Sequence, residues 1–193
     1  MPQGLAQKIG NKMLVAVGAN VPSRAGDSRL TVLAAVEALR EVFDDVRVSR
    51  LYKTLAFPAG SGPEFINAAC SFRAEIPAEG VLKALHEIEA DFGRERVVRW
   101  GQRTLDLDLI AFGDLVLPNA ATFDHWRNLP IDDQKVQTPD TLILPHPRVQ
   151  DRAFVLVPML DIAPDWMHPV LGQTTEEMLA QLPASEREEI LAL

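Results

Sequence analysis

The chain has 193 residues, 47% of them hydrophobic and 24% charged, which is enough to bury one continuous core without disulfides or structural metals. Its formal net charge of -8 opposes any general attraction to nucleic acid or to an anionic membrane surface. The single cysteine, Cys70, excludes an internal disulfide and a cysteine-based zinc site, and no stretch approaches the roughly 18 apolar residues that span a bilayer. We therefore predict one domain, residues 1–193, in the reducing cytoplasm, with neither a membrane nor nucleic acid as its partner.

The first part of the chain predicts a strand, a helix and a second strand. Residues 13–18 form a short apolar run that ends in a loop, and Asp27 or Ser28 can cap the following helix. Residues 46–54 then alternate, and Val46, Val48 and Tyr52 are among their apolar positions. The apolar residues of the helix recur at helical spacing and predict a single buried stripe: Leu30, Leu33, Val36, Leu39 and Phe43.

A third strand over residues 65–76 has two different faces, with Asn67 on the face opposite to Cys70. Pro77 predicts the start of a second helix and Gly93 its end. Residues 104–112 predict a fourth strand, followed by a turn at Gly113 and a short strand over residues 115–117. The predicted order is therefore βαββαβ.

That order predicts an α+β fold: a ferredoxin-like core with an antiparallel sheet, helices on both sides of the sheet in three αβα layers, and a C-terminal helical extension. We expect the core to cover residues 13–182. Residues 118–140 are polar and show no periodicity, so we predict an inserted, mobile loop there, with His125, Trp126 and Arg127 on its surface. Thr174 and Glu177 have the spacing of a capping box at a later helix.

Residues 93–112 concentrate cationic and acidic side chains in an otherwise acidic chain. The cluster Arg94, Arg96, Arg99 and Arg103 suits an anion, because guanidinium groups hold phosphate oxygens through paired hydrogen bonds. Asp106 and Asp108 project from one face of the predicted strand, about 6.6 to 6.8 Å apart along it. Two carboxylates beside four arginines suggest a magnesium polyphosphate. A solvated basic loop paired with surface carboxylates is the alternative interpretation.

The segment from Arg99 to Asp108, RWGQRTLDLD, resembles the signature of the 6-hydroxymethyl-7,8-dihydropterin pyrophosphokinase family of folate biosynthesis. Further segments are similar to that family: VAVGAN at residues 15–20, YKT at 52–54, FINA at 65–68, LPHP at 144–147, DRAF at 151–154 and IAP at 162–164. The sequence departs from the family after Thr54, where LAF stands in place of the usual prolines, and at Thr141, Ile143 and Pro147 near the expected nucleotide side.

The resemblance implies a magnesium-dependent transfer of pyrophosphate from ATP to the hydroxymethyl group of the reduced pterin, with release of AMP. It implies that Asp106 and Asp108 bind two Mg²⁺ ions. The remaining implied site residues fall into three groups. The catalytic arginines are Arg94, Arg96 and Arg103; the ATP-binding residues are His86, Glu89, Arg96, Arg103, Leu109, His146 and Arg152; the pterin-binding residues are Thr54, Phe65, Asn67, Trp100 and Phe154. Of the ATP-binding residues, Glu89 is expected on the polar face of the second helix.

Other functions have less support in the sequence. The four histidines lack the spacing of zinc ligands, and no Gly-rich Walker loop is present. A ferredoxin-like nucleic-acid-binding module shares the predicted architecture, but its strands would need interleaved basic and aromatic residues. A catalytically idle interaction module is the remaining alternative, against which the intact Trp100, Arg103, Asp106 and Asp108 argue. We expect the chain to be a monomer that binds ATP and a reduced pterin.

Overall fold

An antiparallel sheet forms the centre of the fold in the computed structural model, which describes residues 11–56, 62–93, 104–130, 133 and 136–193. The strands are β1 (Asn11–Ala19), β2 (Asp44–Val48), β3 (Tyr52–Thr54), β4 (Phe65–Ala74), β5 (Asp106–Phe112) and β6 (Leu191–Ala192). They follow the order β5-β1-β4-β3-β6, and β2 also pairs with β4. Every pair of strands is antiparallel, as the βαββαβ prediction requires.

Two helices, α1 (Ser28–Val42) and α2 (Ala78–Asp91), pack on one face of the sheet. Asp27 caps α1 by accepting a hydrogen bond from the Leu30 backbone at 2.9 Å, and Gly93 ends α2 with a φ of 79° that favours glycine. The predicted stripe of α1 is wrong at its start, because Leu30 and Leu33 are 51% and 43% exposed. The helix instead buries Thr31, Val32, Ala35, Val36 and Leu39.

The opposite face of the sheet is covered by the C-terminal part of the chain, so the prediction of helices on both sides is confirmed. A second apolar cluster joins Leu14, Ala69 and Ile110 of the sheet to Leu156 and Met159. The predicted capping box is present, because Thr174 and Glu177 exchange hydrogen bonds of 3.1 and 2.8 Å. The helices of this layer are α4 (Ala153–Leu160), α5 (Thr175–Gln181) and α6 (Ala184–Glu188).

A β-bulge separates β2 from β3 and corrects the prediction of one continuous strand. Val48 pairs with Cys70, whereas Tyr52 pairs with Asn67, so the β2–β3 side contains one residue more than β4 between these pairs. Ser49 stabilises the bulge, because its hydroxyl accepts a hydrogen bond from the Ala69 backbone at 2.9 Å. Since side chains alternate along a strand, the extra residue turns Tyr52 onto the face opposite to Val48.

The predicted mobile loop over residues 118–140 is wrong for its first half, which contains the helix α3 (Ala120–Arg127). Asn119 caps this helix, and Phe123 is fully buried, with its ring centroid 5.4 Å from that of His168. His125 is exposed, as predicted, whereas Trp126 and Arg127 are half-buried. The short strand predicted at residues 115–117 is reduced to a single bridge between Leu117 and Leu144.

Within the described ranges, no helix combines the length and the apolar composition that crossing a membrane requires.

Candidate functional site

One row of residues crosses the sheet on the face that α4 covers. Gly18 of β1 lies between Asp106 of β5 and Asn67 of β4, and Asn67 lies next to Tyr52 of β3. Directly paired residues of antiparallel strands point to the same face, so the acidic residue and the amide share one surface. Asp108 belongs to the next row of this face, opposite Ala16. The prediction that Asp106 and Asp108 project from one face of the strand is therefore confirmed.

The two aspartates lie beside the start of α4. The guanidinium of Arg152, the residue that precedes α4, is 3.4 Å from the Asp108 carboxylate. Asp106 and Asp108 are both half-buried, which leaves part of each accessible to a ligand. The described residues contain no group of three or more potential metal-ligating side chains. A cation held by these two carboxylates would need oxygen atoms from water and substrate, which is the coordination that Mg²⁺ favours.

His146 lies next to β5, where its backbone N–H donates to the Ile110 carbonyl at 2.8 Å. Its Nδ1 accepts a hydrogen bond from the Arg148 backbone at 3.1 Å, so the ring proton of the neutral form is on Nε2. Burial, reinforced by the positive charge of Arg152, lowers the pKa of His146 well below its usual value. His146 is therefore a neutral hydrogen-bond donor at neutral pH.

One of the residues expected to bind ATP is placed differently from the prediction. Glu89 was expected on the polar face of the second helix, but it is 1% exposed and accepts a hydrogen bond from the Leu107 backbone at 2.7 Å. It thus anchors the strand between the two aspartates. The side chain of Leu109 lies in the core on the other face of β5, so its predicted contact with ATP would involve the backbone. His86 is half-buried on α2.

Three of the predicted pterin-binding residues, Thr54, Phe65 and Asn67, are neighbours on β3 and β4. The Asn67 side chain donates to the Thr54 hydroxyl at 2.8 Å, and both side chains are buried. Phe65 is half-buried beside them on β4, opposite Thr54. Phe154 on α4 is 42% exposed, and the Arg152 guanidinium carbon lies 5.8 Å from its ring centroid. An exposed phenylalanine beside polar side chains offers a face for stacking.

Gly18 is a site residue that the sequence reasoning missed. A Cβ atom at this position would lie 3.0 Å from the Asn67 Oδ1 and 3.9 Å from the Phe65 ring. Glycine therefore leaves the space between the aspartates and the amide open. A glycine inside a strand is itself a signal of close approach by another group, and it was available in the VAVGAN segment.

The predicted residues Arg94, Arg96, Trp100 and Arg103 lie outside the described residues. Among the others, direct contacts join Thr54 to Asn67 and Arg152 to Asp108.

The chain has the same fold as wild-type Plasmodium falciparum HPPK-DHPS, on which it superposes with a TM-score of 0.64 at 12% identity, covering 96% of this chain and 47% of that one. It is 33% identical over 174 residues to 2-amino-4-hydroxy-6-hydroxymethyldihydropteridine pyrophosphokinase of Pseudomonas aeruginosa, covering 89% of this chain and 92% of the relative. The Synechocystis enzyme of the same name is 38% identical over 136 residues, which are 70% of this chain and 59% of that protein. Residues 14–164 match the model of the 7,8-dihydro-6-hydroxymethylpterin-pyrophosphokinase (HPPK) family, and the chain belongs to this family.

Proposed function

We propose that the chain transfers the pyrophosphoryl group of ATP to the hydroxymethyl group of 6-hydroxymethyl-7,8-dihydropterin in folate biosynthesis. The hydroxymethyl oxygen would lose its proton to solvent and form a bond to the β-phosphorus, while the bond from that phosphorus to the oxygen bridging the α- and β-phosphates breaks and AMP leaves. One observation carries the proposal: Asp106 and Asn67 flank Gly18 in a single row on one face of the sheet. Side chains suited to a metal-bound polyphosphate and to a flat heterocycle thus stand side by side.

Asp106 and Asp108 are the residues that would hold two Mg²⁺ ions with ATP as co-substrate. Bound there, the ions would neutralise charge on the triphosphate and polarise its P–O bonds. Arg152 is directed to the same place by its contact with Asp108, so its guanidinium can bind phosphate oxygens. The neutral His146 would donate from Nε2 to an oxygen of ATP without adding charge. Arg94, Arg96 and Arg103 belong to this proposal as further phosphate ligands.

Thr54, Phe65, Asn67, Trp100 and Phe154 would form the acceptor pocket. The amide of Asn67 can both donate to and accept from the edge of a pterin, and its bond to Thr54 limits its rotation. Stacking on Phe154 would add roughly 0.5 to 1.5 kcal/mol beyond the area that is buried. Such placement of two reactants on one rigid face is itself a source of rate acceleration.

Glu89 and His86 would act on the nucleotide side from α2, with Glu89 acting through the strand it anchors. We further propose that the chain works as a single-domain monomer in the cytoplasm. A nucleic-acid-binding module is not favoured, because this face of the sheet carries the acidic, half-buried Asp106 and Asp108, which would repel a phosphate backbone.

AMP release from ATP, Mg²⁺ and the reduced pterin is the direct test. We expect Asp108→Asn to lower turnover by about 10² or more, because charge stabilisation is lost, while the melting temperature stays close to that of the wild type. Asp114→Asn, which changes an exposed aspartate in the turn after β5, is the matched control and should keep full activity. Turnover of Asp108→Asn within about threefold of the wild type would contradict the metal-binding role.

A further inference from the structure

Asp161 receives four hydrogen bonds from the segment that contains the β-bulge. Its Oδ2 accepts from the Arg50 backbone N–H at 3.0 Å, from Arg50 Nε at 3.1 Å and from the Tyr52 hydroxyl at 2.9 Å. Its Oδ1 accepts from Arg50 Nη2 at 2.8 Å. We name Arg50, Tyr52 and Asp161 the β3 clamp.

The position of Asp161 is unfavourable for the helix that carries it. Asp161 follows α4 directly, and a carboxylate at the C-terminal end of a helix is repelled by the helix dipole. Burial also opposes its ionisation, but the hydrogen bonds from Arg50 and Tyr52 outweigh burial and hold the pKa of Asp161 below its usual value. The Asp161 carboxylate therefore stabilises the segment of Arg50 and Tyr52 that it binds, and not the helix α4 that it follows.

The clamp acts on the residues that determine which way Thr54 points. Arg50 lies inside the bulge, and Tyr52 precedes Thr54 by two residues on the same face of β3. In a strand without the bulge, Thr54 would face the α1–α2 core and could not reach Asn67. The helix α4 is held independently by Leu156 and Met159, which are fully buried. Loss of the clamp would therefore free β3 rather than α4.

We propose that Asp161 is a positioning residue for the acceptor pocket: by clamping Arg50 and Tyr52 across the bulge, it holds the register of β3 that brings Thr54 to Asn67. The inference rests on the proposed function for the identity of the acceptor, a reduced pterin. Because Arg152 directly precedes α4 and remains in place with it, the clamp affects binding of the pterin and not binding of ATP.

Asp161→Asn in the full chain tests the proposal, with fluorescence titration of the pterin, a separate titration of ATP and hydrogen exchange of the backbone amides. We expect the pterin Kd to rise about tenfold and the ATP Kd to stay within about twofold, since one wall of the pocket loses its register. The amides of residues 50–54 should exchange at least about tenfold faster, while those of β1 are unchanged. Tyr52→Phe removes one donor and keeps the ring. It should raise the pterin Kd and speed the exchange of residues 50–54, in both cases by less than Asp161→Asn.

Thr174→Ala provides the matched control, because it removes the cap of α5 and lowers stability without touching the clamp. An equal rise of the pterin Kd in Thr174→Ala and Asp161→Asn would overturn the proposal, since stability alone would then explain it. A wild-type chain that binds no pterin would instead refute the proposed function. The exchange measurement needs no ligand, so unchanged exchange of residues 50–54 in Asp161→Asn refutes the clamp in either case.

Discussion

Gly18→Ala offers a sharp test of the row that joins the two halves of the site. The added methyl carbon would lie 3.0 Å from Asn67 Oδ1, whereas ordinary contacts begin at 3.4 Å. The amide must therefore retreat by roughly 0.4 Å, and its bond to Thr54 at 2.8 Å resists that movement. The substitution thus acts on a group that the acceptor would contact.

The expected weakening of pterin binding corresponds to the loss of one hydrogen bond between Asn67 and the pterin. A neutral hydrogen bond contributes about 0.5 to 1.5 kcal/mol, so its loss should raise the pterin Kd by about 3- to 12-fold. The free energy of unfolding should change little, because the roughly 0.5 to 1 kcal/mol that alanine gains over glycine inside a strand is offset by the strain of the tight contact. Weaker pterin binding in a chain of nearly unchanged stability is the expected signature.

Fluorescence titration of the pterin and urea unfolding measure the two quantities. Gly80→Ala is the matched control, because its new methyl group would lie 3.4 Å from the Ile76 side chain, an ordinary contact far from the row. It should raise the free energy of unfolding by about 1 kcal/mol, the usual gain when alanine replaces glycine inside a helix, and leave the pterin Kd unchanged. If the Gly18→Ala chain binds the pterin as tightly as the wild type does, the open space beside Gly18 has no role in pterin binding.

Two further predictions concern the contact between α3 and the C-terminal part of the chain. Burial lowers the pKa of His168 to about 4, so the unfolded chain binds the proton first as the pH falls. The contribution of His168 to the free energy of unfolding should therefore decrease between about pH 6.5 and pH 4, by up to about 1.4 kcal/mol per pH unit. Urea unfolding should show that His168→Gln makes the slope in this range shallower and leaves the part that comes from His146, whose pKa is also lowered, whereas His125→Gln, at an exposed histidine, leaves the slope unchanged. Phe123→Ala should cost about 3 to 5 kcal/mol by the same method, against less than about 0.5 for the exposed Val136→Ala, and a loss below about 1 kcal/mol would show that α3 is not part of the core.

Features that depend on local periodicity were predictable from the sequence. The alternation in β5 placed Asp106 and Asp108 on one face because the side-chain period of a strand needs no distant partner. Pro77 and Gly93 marked the ends of α2 for equally local reasons, since they restrict or permit particular backbone angles. The resemblance to the family then supplied the chemistry that these positions share.

Features that depend on register or on distant partners were not predictable. The bulge before Tyr52 leaves the alternation of residues 46–54 almost intact, so nothing in that segment shows that half of it changes faces. Glu89 was assigned to a polar face because a carboxylate is rarely buried, and its partner is a backbone N–H on another element. The helix α3 was not predicted because Phe123 is its only buried residue, so its apolar residues show almost no helical periodicity.

The bulge has a consequence for how this part of the chain tolerates change. Between Val48 and Tyr52 the number of residues matters in addition to the contacts of Ser49 and Arg50, since removing a single residue would exchange the two faces at every later position of β3. A one-residue deletion there should place the Tyr52 hydroxyl in the apolar core. Natural or engineered variants of this protein should accordingly keep the length of this connection.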